Sequence, residues 1–195
     1  MSTSVGFGKV DPERVGFAPE RLANVTSITN EGAEEELYPG AVLWVGRRGV
    51  DAFLHSVGHT DFERGTQVDE RTLFDLASLT KPIATATATL LLCQDGKVHL
   101  GQCVTDFLPA QASRHLSELT IRHFLTHTSG LPAWKDLYSD GQTRDQVIEQ
   151  LLAIPLENDP GTHYTYSCLG YILLGVIVEK LCETGLDCFA RDRIF

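Results

Sequence analysis

Apolar and polar residues follow two different periods along the chain, with a change near residue 73. Before residue 60, two short apolar runs at 40–46 and 50–57 are separated by Arg-Arg-Gly at 47–49. Runs of this length, rich in aliphatic and aromatic residues and joined by a glycine-containing turn, predict an antiparallel β-hairpin. Residues 58–71 are polar and are expected to be irregular.

A helix is predicted ahead of this hairpin, with Pro19 in its first turn. Proline is favoured there because its missing N–H would have no partner inside the helix. Leu22, Val25 and Ile28 then recur at helical spacing on one face. Gly32 is expected to interrupt or end this helix.

From Ser78 onward the spacing of apolar residues becomes helical. Further helices are predicted at 120–127 with Thr120 as its cap, at 142–154, at 171–181 and from about Leu186 onward. The 171–181 segment is apolar nearly all round, which is typical of a fully buried helix.

The stretch 73–92 carries the most informative local pattern. Ser78 and Lys81 lie three residues apart, so on a helix their side chains share a face. Pro82 is tolerated only in the first turn of a helix, which places Ser78 at or just before the first helical residue. The helix is predicted to run to about Gln94. A serine beside an ammonium group at a helix start is the arrangement of an activated nucleophile.

Composition narrows the classes of partner. The chain has 195 residues, of which 43% are hydrophobic and 22% charged, as in ordinary soluble proteins. Its net charge of −10 argues against nucleic acid or an anionic membrane surface as a partner. No apolar run reaches the ~18 residues of a membrane span, and residues 1–9 lack the apolar core of a signal peptide. We therefore expect a cytoplasmic protein, with a periplasmic location left open.

The five cysteines are odd in number and form no C-x-x-C pair. Neither a disulfide framework nor a zinc knuckle is therefore predicted, and most of them are expected to be reduced, small core residues. They are Cys93, Cys103, Cys168, Cys182 and Cys188.

His123 and His127 lie four residues apart on a predicted helix, a spacing at which two histidines can share a metal ion. The glutamate of an H-E-x-x-H pattern and an obvious third ligand are both missing. His127 is instead expected to fix the turn after its helix by hydrogen bonding. No metal and no other cofactor is predicted.

Three segments occur together at specific spacing: residues 74–81 (Phe-Asp-Leu-Ala-Ser-Leu-Thr-Lys), 125–132 (Leu-Thr-His-Thr-Ser-Gly-Leu-Pro) and 160–167 (Pro-Gly-Thr-His-Tyr-Thr-Tyr-Ser). A lone S-x-x-K occurs by chance in many helices, whereas the three together are specific. From about Arg14 to Phe195 the chain resembles the serine β-lactamase-related family. That family includes class C β-lactamases, D-alanyl-D-alanine carboxypeptidases and esterases of the same fold.

The resemblance implies catalytic roles for three residues. Ser78 matches the serine that is acylated, and Lys81 matches the lysine that keeps the site electropositive and shares the serine's proton. Tyr166 matches the tyrosine of the family's Y-x-N motif, which serves as general base or relays the proton to the leaving group; Tyr164 is the alternative match. The chemistry is physically reasonable because a neighbouring cation lowers the pKa of a phenol.

The chain departs from the family pattern in two places. Cys168 replaces the asparagine of Y-x-N, and a thiol is a weak hydrogen-bond partner. Cys168 is thus the candidate substrate-binding residue, and its presence favours simple esters over β-lactams or peptides. The family's later Lys-Thr-Gly or His-x-Gly strand, which supplies an oxyanion-hole N–H, is missing from this sequence. Losing one such donor typically costs ~10²–10³-fold in rate, so we expect this chain alone to be a poor or inactive catalyst.

For the fold, the resemblance implies an α+β, β-lactamase/penicillin-binding-protein transpeptidase-like architecture. The chain is expected to hold one incomplete domain, with 1–72 as the start of the α/β lobe (a helix and a hairpin) and 73–195 as most of the helical lobe. A two-stranded hairpin is a poor sheet by itself, which agrees with this expectation.

The leading functional hypothesis is a serine hydrolase that acts through an acyl-serine on a small-molecule ester or amide, with the ester favoured. One alternative is a non-catalytic, penicillin-binding-like binding or scaffold protein. Another is a metal-dependent hydrolase that uses His123 and His127. An oligomer that buries the incomplete sheet is also left open.

Overall fold

A computed structural model describes residues 8–108, 114–137 and 141–195. The chain divides into two units, Met1–Asp75 and Leu76–Phe195. The expectation of no signal peptide was drawn from residues 1–9, and most of these lie outside the described residues. None of the described helices is both long and apolar enough to cross a membrane.

The first unit contains the predicted helix and hairpin. Helix α1 spans Pro19–Glu34, and strands β1 (Gly40–Arg47) and β2 (Val50–Gly58) pair antiparallel. Arg48 and Gly49 between the strands have φ values of +57° and +74°. Two successive residues with positive φ form the turn whose twist matches that of the flanking strands. The hairpin prediction is confirmed.

The prediction that Gly32 interrupts or ends α1 is wrong, because the helix continues without a break to Glu34. Tyr38 explains the glycine: its hydroxyl donates to the Thr29 carbonyl over 2.8 Å, and a Cβ at Gly32 would lie 2.6 Å from that hydroxyl. The glycine therefore makes room for the tyrosine ring. Ile28, predicted on the apolar face, is 68% exposed.

The regular secondary structure in the described part of the second unit is mainly helical. Its α-helices are α2 (Thr87–Gln94), α3 (Ile121–Leu125), α4 (Arg144–Ala153), α5 (Cys168–Cys182) and α6 (Leu186–Arg193). Short 3₁₀ helices lie at Ala77–Leu79, Val104–Asp106 and Arg114–Glu118. The largest share of the fully buried core comes from one side of α5, which packs with residues such as Leu92 and Phe124.

Helix α5 differs from its prediction in two ways. It begins at Cys168, three residues earlier than expected, because the Ser167 hydroxyl caps it by accepting from the Gly170 N–H over 3.3 Å. It is also not buried all round, since Ile172 is 42% exposed. One stripe of this apolar helix therefore faces open space.

The single helix predicted from Ser78 onward is three helical segments in succession. The 3₁₀ turn Ala77–Leu79 is followed by a π-helix at Lys81–Ala86 and then by α2. In the π-helix, the Pro82 carbonyl accepts from the Thr87 hydroxyl over 2.9 Å, which supports the wider turn. Ser78 does lie in the opening turn, as Pro82 predicted; the change of helix type was not predicted.

The cysteines are all free, as predicted, but none is fully buried. The expectation that most are core residues is therefore wrong. All five are half-buried, and Cys93 and Cys182 pack against the core.

Gly130 and Gly96 allow a matched test of backbone packing. Their φ values are similar, +77° and +70°, but a Cβ at Gly130 would lie 2.0 Å from the Asn158 carbonyl oxygen, whereas no described atom lies within 4 Å at Gly96. We expect G96A to lower the free energy of unfolding by about 1 kcal/mol, the cost of the left-handed backbone alone. G130A should cost clearly more in the same denaturation experiment. Equal losses would contradict the close approach at Gly130.

Candidate active site

The structure brings Ser78 and Lys81 into contact. Lys81 Nζ donates to Ser78 Oγ over 3.1 Å. Ser78 lies in the 3₁₀ turn Ala77–Leu79, and Lys81 is the first residue of the π-helix that follows, so the contact joins two successive helical segments. Ala77, immediately before the serine, has φ +43°, which is unusual for a residue other than glycine. The candidate nucleophile thus sits on a strained turn, a feature often found at functional sites.

Tyr166 completes a cluster with these two residues. Lys81 Nζ lies 5.1 Å from the centroid of the Tyr166 ring. Hydrogen bonding to Ser78, and then to Lys81, holds the pKa of Tyr166 below its ordinary value. Because Lys81 donates to Ser78 Oγ, the Ser78 hydroxyl keeps its own hydrogen available to donate to another acceptor. The alternative match, Tyr164, makes an edge contact with His127 at 6.0 Å and is 71% exposed.

Lys81 is held in its cationic form. Partial burial lowers its pKa, but hydrogen bonding to Tyr166 and the interaction with Cys168 outweigh burial, so the net pKa lies above the ordinary value. A lysine that keeps its proton cannot act as the base. It can stabilise negative charge on the neighbouring oxygens instead.

Cys168 lies at the same place, as the first residue of α5. Its N–H donates to the Ala133 carbonyl over 2.8 Å, and its thiol interacts with the Lys81 ammonium. The structure therefore gathers all four candidate site residues in the second unit. Ser78, Lys81 and Tyr166 line a cavity of about 590 Å³.

Ser167 is a structural residue that sequence reasoning passed over. It is 1% exposed, its N–H donates to His127 Nδ1 over 3.1 Å, and its hydroxyl donates to the Pro132 carbonyl over 2.7 Å. These bonds join the segments 125–132 and 160–167, which are far apart in sequence. The available signal was its place just before a long apolar helix, where serine is a common cap.

The side chain of His127 holds the segment that contains Tyr166, and not the turn after its own helix. The predicted hydrogen-bond partner of His127 is therefore wrong. Its ring lies 4.6 Å from the Tyr166 ring and 4.9 Å from the Tyr171 ring, measured between centroids. Partial burial, and then the charge of Lys81, lower the pKa of His127. Because Nδ1 accepts from the Ser167 N–H, the imidazole is neutral with its proton on Nε2.

His123 is committed to helix capping. Its Nδ1 accepts from the Thr120 N–H over 3.3 Å, and Thr120 is the cap of α3, as predicted. The Nδ1 atom of each histidine accepts a hydrogen bond from a backbone N–H. The two Nδ1 atoms are therefore not available to bind a shared metal ion. Within the described ranges, no group of three His, Cys, Asp or Glu side chains could hold a metal ion.

Comparison with known proteins assigns the chain to a family. The Beta-lactamase family model matches residues 25–195. The N-acetylmuramyl-L-alanine amidase of Bacillus subtilis (strain 168) is 31% identical over 95% of this chain and 46% of its own length. Esterase EstB of Burkholderia gladioli is 36% identical over 84% of this chain and 46% of its own length.

Solved structures agree on the fold. A β-lactamase/D-alanine carboxypeptidase from Pseudomonas syringae aligns with a TM-score of 0.75 at 25% identity, covering 90% of this chain and 48% of that one. The chain therefore belongs to the β-lactamase family, and the predicted α+β, β-lactamase/penicillin-binding-protein fold is confirmed. It spans about half the length of the relatives it matches.

The hydrogen bond at His127 predicts a pH dependence of stability. Its folded-state pKa lies below the value of about 6.5 expected in the unfolded chain, so the unfolded chain binds more protons between these two values. This stabilisation is fully present above about pH 6.5 and is lost as the pH falls through the folded pKa. The expected result is a lower free energy of unfolding at about pH 5 than at about pH 8.

Two variants separate titration from the hydrogen bond. Asparagine tolerates the φ of +57° at position 127 and offers an oxygen acceptor that does not titrate, so H127N should weaken the pH dependence. Part of the dependence should remain, because burial also lowers the pKa of His123. H127A lacks the acceptor and should be about 1 kcal/mol less stable than H127N at neutral pH. An unchanged pH dependence in H127N, measured by urea unfolding, would refute the assignment.

Proposed function

We propose that the chain carries the nucleophile's part of a serine hydrolase site that acts through an acyl-serine intermediate. Ser78 is the nucleophile, Tyr166 is the base and Lys81 is the fixed cation. The main support for this proposal is the hydrogen bond of 3.1 Å from Lys81 Nζ to Ser78 Oγ. Tyr166 lies beside this pair, and both residues lower its pKa. Membership of the β-lactamase family supports this proposal.

The protons balance through Tyr166. Its phenolate takes the hydroxyl proton of Ser78 while Oγ bonds the acyl carbon, and the carbonyl electrons move to oxygen. Collapse of the tetrahedral intermediate expels the alcohol or amine, which takes that proton from Tyr166. Water then attacks the acyl-serine with its proton passing to the same phenolate, and the acid is released as Ser78 regains its hydrogen. Lys81 stabilises the negative charge throughout.

A small-molecule ester is the favoured substrate, with an amide, including a β-lactam or D-alanyl peptide, as the second choice. The relatives named above comprise an esterase and an amidase, so both linkages occur among similar proteins. Cys168 favours the ester, because its thiol is a weaker hydrogen-bond partner for a substrate amide than the carboxamide of an asparagine would be.

The alternative function is ligand binding without turnover, as in a penicillin-binding-like scaffold protein. The thiol at Cys168 is the observation that keeps this alternative open. Binding without turnover predicts a complex with no covalent adduct at Ser78, which the next experiment detects.

A fluorophosphonate should label Ser78. Serine Oγ displaces fluoride from phosphorus, which adds a mass that peptide mapping can locate. We expect the adduct on Ser78 in the wild-type protein and no adduct in S78A; S27A, which changes an exposed serine of the first unit, is the control and should be labelled normally. Absence of label at Ser78 in a folded wild-type protein would refute the nucleophile assignment and favour the binding alternative.

Two tyrosine variants test the base. Y166F should slow the labelling of Ser78 by roughly 10²-fold or more, the usual contribution of a positioned base. Y164F makes the same chemical change two residues away and should label at nearly the wild-type rate. The wild-type rate should also rise with pH through the lowered pKa of Tyr166, and Y166F should lose that rise. The reverse pattern, with Y164F slow and Y166F normal, would move the role to Tyr164.

A further inference from the structure

A second cavity, of about 670 Å³, opens from the catalytic cluster and runs along the exposed stripe of α5. It shares the lining residues Ala77, Lys81 and Tyr171 with the cavity that Ser78 lines, so the two cavities adjoin beside the candidate nucleophile. We propose that this second cavity binds the acyl chain of the substrate and selects esters of medium-chain carboxylic acids. The proposal rests on the proposed function and specifies its substrate class.

The lining of this cavity suits a hydrocarbon. Apolar side chains come from the segment before α4, with Trp134 and Leu137, and from α5, with Leu169, Ile172 and Val176. Cys168 lies at its mouth, where a thiol presents a small surface with weak hydrogen-bonding capacity. Lys81 lies at the end next to Ser78, and the other charged residues of the lining are Lys135, Arg144 and Glu179. A largely apolar pocket with a few placed polar groups is the usual design of a site that binds an apolar substrate with a polar end.

Gly175 gives this cavity its depth. It lies in the interior of α5, where glycine is unfavourable by roughly 1 kcal/mol relative to alanine. A Cβ at Gly175 would meet only Leu186 Cδ2, at an ordinary contact distance of 3.9 Å, so packing does not require a glycine there. Gly170 of the same helix is different, because its Cβ would press against Phe124 at 3.3 Å. The unoccupied space at Gly175 is thus left to the cavity.

The geometry of helix α5 sets the length of the alkyl chain that fits in this cavity. From Cys168 to Gly175 is seven residues, or about 10 Å along the axis. An extended alkyl chain with C–C bonds of about 1.5 Å advances roughly 1.3 Å per carbon, so about eight carbons reach the glycine. One turn further on, Glu179 forms an ion pair with Arg144. These charges end the apolar lining, which excludes much longer chains.

Binding of octanoate tests the pocket without any turnover. Octanoate and acetate are titrated into the wild type, S78A, G175L, G175A and K180L by isothermal calorimetry. Each methylene transferred out of water strengthens binding roughly fourfold, so octanoate should bind at least tenfold more tightly than acetate to the wild type and to S78A. G175L fills the cavity and should weaken octanoate binding at least tenfold. K180L adds a leucine to the same helix outside this cavity and should bind like the wild type.

The G175A variant controls for the possibility that G175L fails to fold. Alanine should raise the stability of α5 while it narrows the cavity, so weaker octanoate binding in a more stable protein cannot be attributed to unfolding. Equal affinity for octanoate and acetate, no octanoate binding, or G175L binding as well as the wild type would each overturn the proposal. Octanoate binding in a protein whose Ser78 resists fluorophosphonate would refute the proposed hydrolase function and leave the acyl pocket standing.

Discussion

The buried Ser167 is the constraint on which the candidate site depends. Its N–H and hydroxyl donate to His127 and Pro132, and its hydroxyl oxygen caps α5. A buried polar group that loses a partner costs about 1–3 kcal/mol, so these bonds tolerate little rearrangement. Tyr166 and Cys168 flank this serine in sequence and both face Lys81. Their positions are therefore set largely by a residue that itself takes no part in the chemistry.

One cation organises the electrostatics of the cluster. After the hydrogen bond from Ser78, Lys81 contributes to the lowered pKa of Tyr166 by hydrogen bonding and by its charge, and after partial burial it contributes to the lowered pKa of His127. The same charge is stabilised in return by Tyr166 and Cys168, which raise the pKa of Lys81. Keeping His127 neutral preserves its acceptor nitrogen for the Ser167 N–H. A protonated His127 would lose this bond, because both ring nitrogens of an imidazolium are donors.

Local rules predicted much of this structure. The hairpin, the opening turn at Ser78 and the Thr120 cap depend on short-range backbone preferences, and each was predicted from the sequence. The role of Gly32 was not predictable, because it depends on a tyrosine ring that folds back from six residues away. The same holds for Ser167, whose partners lie some forty residues earlier. Contacts across such distances leave no periodic signal in the sequence.

The π-helix at Lys81–Ala86 has an evolutionary consequence. A π turn holds one residue more than the α turn it replaces, and each residue of an α-helix rotates the chain by about 100°. Deleting one residue within this segment would let the helix close as a regular α-helix, and Ser78 and Lys81 would then turn away from Tyr166 together. The orientation of Ser78 toward Tyr166 thus depends on the number of residues in the segment before α2. Insertions and deletions in this segment are therefore restricted more severely than substitutions.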